Sequence, residues 1–371
     1  MRTIDQVSKE RGHTSGFDYL RLTLSTSVIA WHAVLVCYGS DVDTALWASH
    51  FRPLVLFILP SFFALSGFLV AGSLERNSLS AFLMLRVLRI VPALAFEILL
   101  SSLLIGPLVT SLDLKAYFSS VVFRSYFLNI VGYIHYQLPG VFTNLPIDQV
   151  NRQLWTIPYE LECYIAIAVL AVIGLVSRPR LLLAALLFGI TYNLSRHFMA
   201  GSWLEPSGRI LVVSFLFGAG LFFLRTVIPY NKWMFVISLG MTWVLLTSNS
   251  TMYFATPPVA YATVYVGLLN PRRIFLVRGA DYSYGLYLFG FPTQQLVALA
   301  LPSLRFPLVN FLLSWPLAWV FAWISWYFVE SKVLGRKKWF VSTVDGAASE
   351  INRWLHLAFL RGLDRVKPFR E

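Results

Sequence analysis

The stretch FDYLRLTLSTSVIAWH, residues 17–32, places an arginine and a histidine within one long apolar segment. About 20 apolar residues are enough to cross the hydrocarbon core of a bilayer as a helix. Arg21 and His32 are eleven residues apart, which on an α-helix is three turns plus about 20° and an axial separation of about 16 Å. Both side chains should therefore point along one groove. A histidine at that depth is costly to bury, and such groups are usually functional.

The composition indicates an integral membrane protein. Of the 371 residues, 57% are hydrophobic and only 13% are charged, which is too apolar for a soluble domain. Long apolar segments recur along the chain and predict an all-α, polytopic transmembrane helical bundle. Ten spans are expected, at residues 17–38, 51–73, 82–110, 154–176, 181–200, 207–226, 231–248, 252–269, 281–302 and 306–330.

The distribution of positive charge predicts the topology. An eleventh apolar segment, residues 116–132, is short and carries Arg124 at its centre. If it does not cross and the amino terminus is cytoplasmic, most of the 30 Lys and Arg lie inside, as the positive-inside rule requires. We therefore expect both termini to be cytoplasmic and residues 111–153 to form a long external loop, with a re-entrant or interfacial helix in it. The same excess of Lys and Arg on the cytoplasmic side accounts for the net charge of +12, so we expect no nucleic-acid partner.

The carboxyl-terminal tail, residues 331–371, is basic and is expected to be cytoplasmic. Apolar residues recur in it at helical spacing: Ile351, Trp354, Leu355, Ala358 and Phe359. This pattern predicts an amphipathic helix on the inner leaflet, with a partner-binding helix as the alternative. The two cysteines are too few for a disulfide framework and lack metal-ligand spacing, so we expect no metal site.

Two arginines at the start of the third span share a helix face. Arg86 and Arg89 are three residues apart at its cytoplasmic end, and Pro92 follows one turn later. They could be positive-inside anchors that reach lipid headgroups. Alternatively, two guanidinium groups at this spacing could clamp a phosphate.

The segment LWTIPYELECY, residues 154–164, opens the fourth span with two carboxylates. Pro158 is tolerated in a first helical turn, so Glu160 should lie shallow on the external side. Glu160 and Glu162 point about 200° apart, and only one of them can line a given cavity. The other then needs a separate polar partner or the membrane interface.

Other polar or small residues lie within the apolar segments. Asp18 precedes Arg21 by one helical turn, so these two side chains are expected to pair. Ser66 and Gly67, in the middle of the second span, should allow a close helix approach. Tyr284, at the polar start of the ninth span, could line a cavity or bond across helices.

Together these residues resemble the membrane-bound acyltransferase 3 family, which transfers acyl groups to carbohydrates and other acceptors. The matching motifs, in chain order, are Phe17-Asp18-Tyr19-Leu20-Arg21 with His32, Phe62-Phe63 through Ser66-Gly67-Phe68, Arg86 and Arg89 with Pro92, Trp155 with Glu160 and Tyr164, and Ser283-Tyr284 with Tyr287-Leu288 and Pro292. The resemblance runs to about residue 330 and implies a transmembrane acyltransferase domain at 1–330. It also implies ten spans, as the charge distribution does.

The resemblance implies a reaction across the membrane. The donor would be acyl-CoA, usually acetyl-CoA, arriving from the cytoplasm as a co-substrate, and no tightly bound cofactor is expected. The residues divide into a catalytic group of His32 and Glu160, a donor-binding group of Arg21, Arg86 and Arg89, and a substrate-binding group of Trp155, Tyr164, Ser66 and Tyr284. His32 could deprotonate the acceptor hydroxyl or take the acyl group itself. Many family members carry a histidine where this chain has Gly290, so no role of that histidine applies here.

The function expected from the sequence is that of a multi-pass O-acyltransferase, most simply an O-acetyltransferase, in a bacterial inner or plasma membrane. Its acceptor would be a cell-surface or secreted glycan or a lipid-linked sugar. The alternative is a transporter or flippase of a glycan or lipid-linked intermediate, which would use the same buried polar groups as a pathway. Membrane lipids are expected partners, and the sequence permits a homo-oligomer.

Overall fold

The computed structural model describes residues 2–199, 208–347 and 349–350. Over these ranges the chain forms helices and turns, without a β-strand beyond one isolated antiparallel bridge between Thr3 and Pro229. The prediction of an all-α protein is confirmed.

The helices follow one another through short connections over most of the chain. The α-helices are α1 (Ile4–Arg11), α2 (Gly16–Tyr38), α3 (Ser40–Trp47), α4 (Arg52–Arg76), α5 (Leu79–Leu100), α6 (Gly106–Val109), α7 (Leu114–Ser119), α8 (Val121–Tyr126), α9 (Ile157–Val172), α10 (Pro179–Met199), α11 (Arg209–Phe223), α12 (Lys232–Leu245), α13 (Thr256–Gly267), α14 (Ser283–Ala300), α15 (Pro307–Ser325) and α16 (Ser331–Gly335). A π-helix, Ser101–Ile105, joins α5 to α6, and a second, Trp326–Glu330, joins α15 to α16.

Several of these helices are suited to a membrane. Each of the ten apolar segments found in the sequence contains an α-helix, and residues 82–110 contain two, α5 and α6. Among the described residues, five helical stretches are long and apolar enough to cross a bilayer: Gly16–Tyr38, Arg52–Arg76, Leu79–Val109, Arg152–Val172 and Pro307–Gly335. A chain with this many apolar helices is a multi-pass membrane protein.

Helices α4 and α11 approach each other closely in the core, at two glycines. A Cβ atom at Gly67 would lie 2.0 Å from the carbonyl oxygen of Phe215. On the facing helix, a Cβ atom at Gly218 would lie 2.0 Å from the carbonyl oxygen of Ala64. Only glycine lets the two backbones touch at these positions. The expected close approach at Gly67 is therefore present, and it fixes the helix that carries Ser66.

Residues 111–153 contain α7, α8, the 3₁₀-helix Phe127–Val131 and a long irregular stretch. This segment is held against the helices. Gln295 of α14 donates hydrogen bonds to the carbonyl oxygens of Ile147 and Gln149, both at 2.7 Å. Further on, Gln153 donates to the carbonyl oxygen of Leu288, also on α14, at 2.6 Å. The last part of the segment is thereby fixed beside α14.

The start of the tail packs against α5. Asp345 accepts hydrogen bonds from the hydroxyls of Ser78 at 2.6 Å and Ser80 at 2.5 Å. The amphipathic helix predicted around residues 351–359 lies outside the described residues.

Candidate active site

Two neighbouring cavities lie between the helices, and Leu59 of α4 lines both of them. The first, of about 110 Å³, is lined by Arg21 and is here named the arginine cavity. The second, of about 520 Å³, is lined by His32 and is named the histidine cavity. Arg21 and His32 were expected to face one groove. They line two adjoining cavities instead, and Leu59 of α4 contributes to the lining of both.

The arginine cavity gathers most of the residues that the sequence singled out. Its polar and charged lining residues are Arg21, Ser66, Arg86, Arg89, Thr156, Glu160, Tyr164, Ser283, Tyr284 and Tyr287. The histidine cavity is lined by aliphatic side chains together with eight aromatic, polar or charged ones. These eight are Trp31, His32, Thr44, Trp47, Tyr136, Gln149, Arg152 and Trp155. The candidates therefore divide into a group of seven and a separate pair, His32 and Trp155.

A network of ion pairs joins four elements at the arginine cavity. Asp281 accepts hydrogen bonds from Arg21 at 2.9 Å and from Arg89 at 2.6 Å. Arg89 also donates to Glu330 at 3.2 Å, and Ser325 donates to the other oxygen of Glu330 at 3.0 Å. Two carboxylates thus hold Arg89, and one of them also holds Arg21. Such a network orients both guanidinium groups and offsets much of the cost of burying them.

Sequence reasoning missed Glu330 and left Asp281 without a role. Both are carboxylates at an end of an apolar segment. Such a position indicates an ion pair, because a carboxylate there needs a cationic partner. The expected pair of Asp18 with Arg21 is wrong. Arg21 turns toward Asp281, while Asp18 lies 3.8 Å from Arg273. Arg21 therefore shares the carboxylate of Asp281 with Arg89. Asp18 faces Arg273 in the segment before α14.

Arg86 and Arg89 line the same cavity, as their spacing predicts, but their surroundings differ. Arg86 donates one hydrogen bond, to Ser73 at 3.4 Å, and its guanidinium lies 5.9 Å from the centre of the Tyr164 ring. The buried Nε atom of Arg86 has no hydrogen-bond partner within the described residues. Because Arg89 is already held by carboxylates, Arg86 is the arginine of this pair with a free donor. The two therefore do not form an equivalent phosphate clamp.

Glu160 and Glu162 face opposite sides of α9, as expected. Glu160 lines the arginine cavity and accepts a hydrogen bond from Tyr164. Glu162 forms an ion pair with Arg209 on the other side. Glu160 does not reach His32, which lines the other cavity. Glu160 lies near the arginines, since its charge interacts with those of Arg89 and Arg86.

His32 is the central residue of the histidine cavity. Its ring contacts the edge of Phe291, with ring centres 5.3 Å apart. Neither ring nitrogen hydrogen-bonds to any residue that the structure describes. Both nitrogens are therefore available to a molecule in the cavity. One turn earlier, Ile29 packs against Gly290, where a Cβ atom would lie only 2.6 Å from Ile29 Cγ1. This contact explains why a histidine would not fit at position 290.

Known proteins share this sequence pattern over the region that holds both cavities. The pattern of the acyltransferase domain family, acyltransferase 3, matches residues 14–330. An O-acetyl transferase of Shigella phage Sf6 is 29% identical, and the alignment covers 74% of this chain and 84% of the phage protein. No solved structure matches the chain.

Proposed function

The chain belongs to the acyltransferase 3 family, and from that premise we propose that it moves an acetyl group from cytoplasmic acetyl-CoA to a carbohydrate hydroxyl across the membrane. The observation that carries this proposal is the pair of adjoining cavities. One holds a cationic network suited to a phosphate-bearing donor, and the other holds an imidazole with both nitrogens free. The name of the phage relative supports acetyl as the acyl group.

The proposed topology has ten spans, both termini in the cytoplasm and residues 111–153 outside. The positive-inside rule supports it, because the basic tail and Arg76, Arg86 and Arg89 then share the cytoplasmic side. The arginine cavity would open to that side and the histidine cavity to the other. The enzyme would act in a bacterial inner or plasma membrane.

We assign donor binding to the arginine cavity. A cavity of about 110 Å³ is below the roughly 300–1,000 Å³ of typical ligand pockets, so acetyl-CoA would enter it only in part. Arg86, with its free donor, would take the main phosphate contact, while Asp281 keeps Arg21 and Arg89 oriented at the mouth. Ser66, Glu160, Tyr164 and Tyr284 would line the path of the thioester.

The transfer itself would take place where Leu59 separates the cavities. His32 would take the proton of the acceptor hydroxyl while its oxygen attacks the thioester carbon. A C–O ester bond forms, the C–S bond breaks, and the proton passes from His32 to the leaving thiolate. In the two-step version, a His32 nitrogen first attacks the thioester carbon, and the C–S bond breaks as the thiolate leaves and takes the imidazole proton. The hydroxyl oxygen then attacks the acyl group, the N–C bond breaks, and the hydroxyl proton passes to the released imidazole. Trp155 would line the acceptor side.

The position of Leu59 provides a test of this function. Leu59→Trp should fill the junction and lower acetyl transfer by about 100-fold, the scale of loss from misplacing reacting groups. Binding of acetyl-CoA, measured by calorimetry, should change less than twofold. Leu54→Trp, on the exposed face of the same helix, is the matched control and should keep wild-type transfer. If a folded Leu59→Trp variant transfers acetyl at the wild-type rate, the group does not pass between these cavities.

A further inference from the structure

Among the residues that the structure describes, the histidine cavity holds a positive charge without an opposite charge. Arg152 lines it together with His32, and none of the described lining residues is an Asp or a Glu. Arg152 donates one hydrogen bond, to the neutral side chain of Gln149 at 3.3 Å. It forms no ion pair within the described part of the chain. Its guanidinium is thus free to bind an anion.

Several other partly buried arginines of the protein are neutralised by carboxylates, although Arg86 is not. Arg21 and Arg89 share Asp281, and Arg225 lies between Asp5 and Glu75. This is the usual arrangement, because a charge removed from water needs a partner. Arg152 has no such partner among the described residues, so its guanidinium can take one from a bound molecule.

The backbone around Arg152 is held rigidly on both sides. Asn151 is fully buried and donates to Glu97 at 2.9 Å, and Gln153 is fully buried and donates to Leu288 at 2.6 Å. The backbone of Arg152 is therefore fixed relative to α5 and α14. This places the side chain at the cavity, where a guanidinium can bind a carboxylate or phosphate through two hydrogen bonds.

The rest of the cavity suits a sugar. Trp31 and Trp47 form an edge-to-face pair with ring centres 5.7 Å apart, and Tyr136 and Trp155 add two more aromatic rings. Aromatic faces pack against the apolar faces of sugar rings, and Thr44 and Gln149 offer hydrogen bonds to hydroxyls. The volume of about 520 Å³ lies within the range of small-molecule sites.

We propose that the acceptor is an acidic carbohydrate and that Arg152 binds its negative group while His32 faces the hydroxyl to be acetylated. This rests on the proposed function, since it names the class of acceptor for the same site. The negative group is a carboxylate or a phosphate on the sugar, both of which a guanidinium binds through two parallel hydrogen bonds. In this pose, the imidazole of His32 faces an acceptor hydroxyl that lies near the negative group of the sugar.

Binding to the purified, full-length protein tests this without requiring turnover. The probes are methyl glucuronide, which carries a carboxylate, glucose 1-phosphate, which carries a phosphate, and neutral methyl glucoside. We expect at least one acidic probe to bind about tenfold or more tightly than methyl glucoside, and the tighter of the two identifies the group. Arg152→Gln should remove that preference and leave methyl glucoside binding unchanged, while Arg152→Lys should restore it in part.

The control is Arg124→Gln, which removes the same charge from an exposed position outside both cavities and should bind like the wild type. The proposal is overturned if no acidic probe binds better than the neutral one, or if Arg152→Gln keeps the preference. A uniform loss of transfer rate for every acceptor, with binding unchanged, would instead assign Arg152 to the transition state and also overturn it. If the acid preference is present but acetyl transfer never occurs, the proposed function fails while the binding site remains.

Discussion

Replacing His32 by alanine is expected to lower acetyl transfer by about 100- to 10,000-fold, the contribution typical of a positioned acid or base. The protein should remain folded, because the histidine makes one aromatic contact, with Phe291, and its ring nitrogens support no hydrogen bond among the described residues. Donor binding should also persist, since the arginines that we assign to the donor line the other cavity. The measurements are the transfer rate from labelled acetyl-CoA and calorimetric binding of the donor.

His50→Ala is the matched control, because His50 is exposed and lines neither cavity. It should transfer acetyl at the wild-type rate. A His32→Ala variant that elutes as a folded protein in detergent and keeps more than a third of the wild-type rate would remove His32 from the reaction.

The second large effect is expected at Asp281. Asp281→Asn removes the carboxylate shared by Arg21 and Arg89 and leaves two partly buried guanidinium groups with less compensation. Breaking a buried pair in this way costs about 3–5 kcal/mol, and we expect about 3 kcal/mol because these side chains are 24–29% exposed. The midpoint of thermal unfolding in detergent should fall clearly. Donor binding should weaken too, since both arginines lose their orientation.

Glu162→Gln is the control for this change. It also breaks a carboxylate–arginine pair, but there the two side chains are 42% and 51% exposed. Exposed pairs contribute about 0–1 kcal/mol, so its unfolding midpoint should stay near that of the wild type. Equal midpoints for Asp281→Asn and the wild type would show that the network does not stabilise the bundle.

The sequence predicted the features that depend on local periodicity. The apolar segments located the helices, and the spacing of Glu160 and Glu162 placed them on opposite faces, because helix geometry relates residues within a few turns. Gly67 could likewise be recognised as a point of close approach. These inferences need no knowledge of how helices pack.

Contacts between distant segments could not be predicted in the same way. Arg21 and Asp281 are 260 residues apart, and Arg89 and Glu330 are 241 apart, so no local pattern pairs them. Leu59, which lines both cavities, is an ordinary apolar residue whose importance comes only from where α4 lies. Arg152 counted in the sequence only as one more external charge. Its isolation from carboxylates is a property of the folded cavity.

The central claim is that an acetyl group given at the arginine cavity is received at the histidine cavity, on the opposite side of the membrane. Sealed vesicles that hold the protein in a known orientation test it most directly. Labelled acetyl-CoA, which does not cross the bilayer, is placed on one side only. Cell-envelope glycan is placed either inside or outside the vesicles. We predict labelled glycan only when acetyl-CoA is on the side of the basic tail and glycan is on the other. Equal labelling with acetyl-CoA on either side, or labelling only with both substrates on one side, would contradict the account.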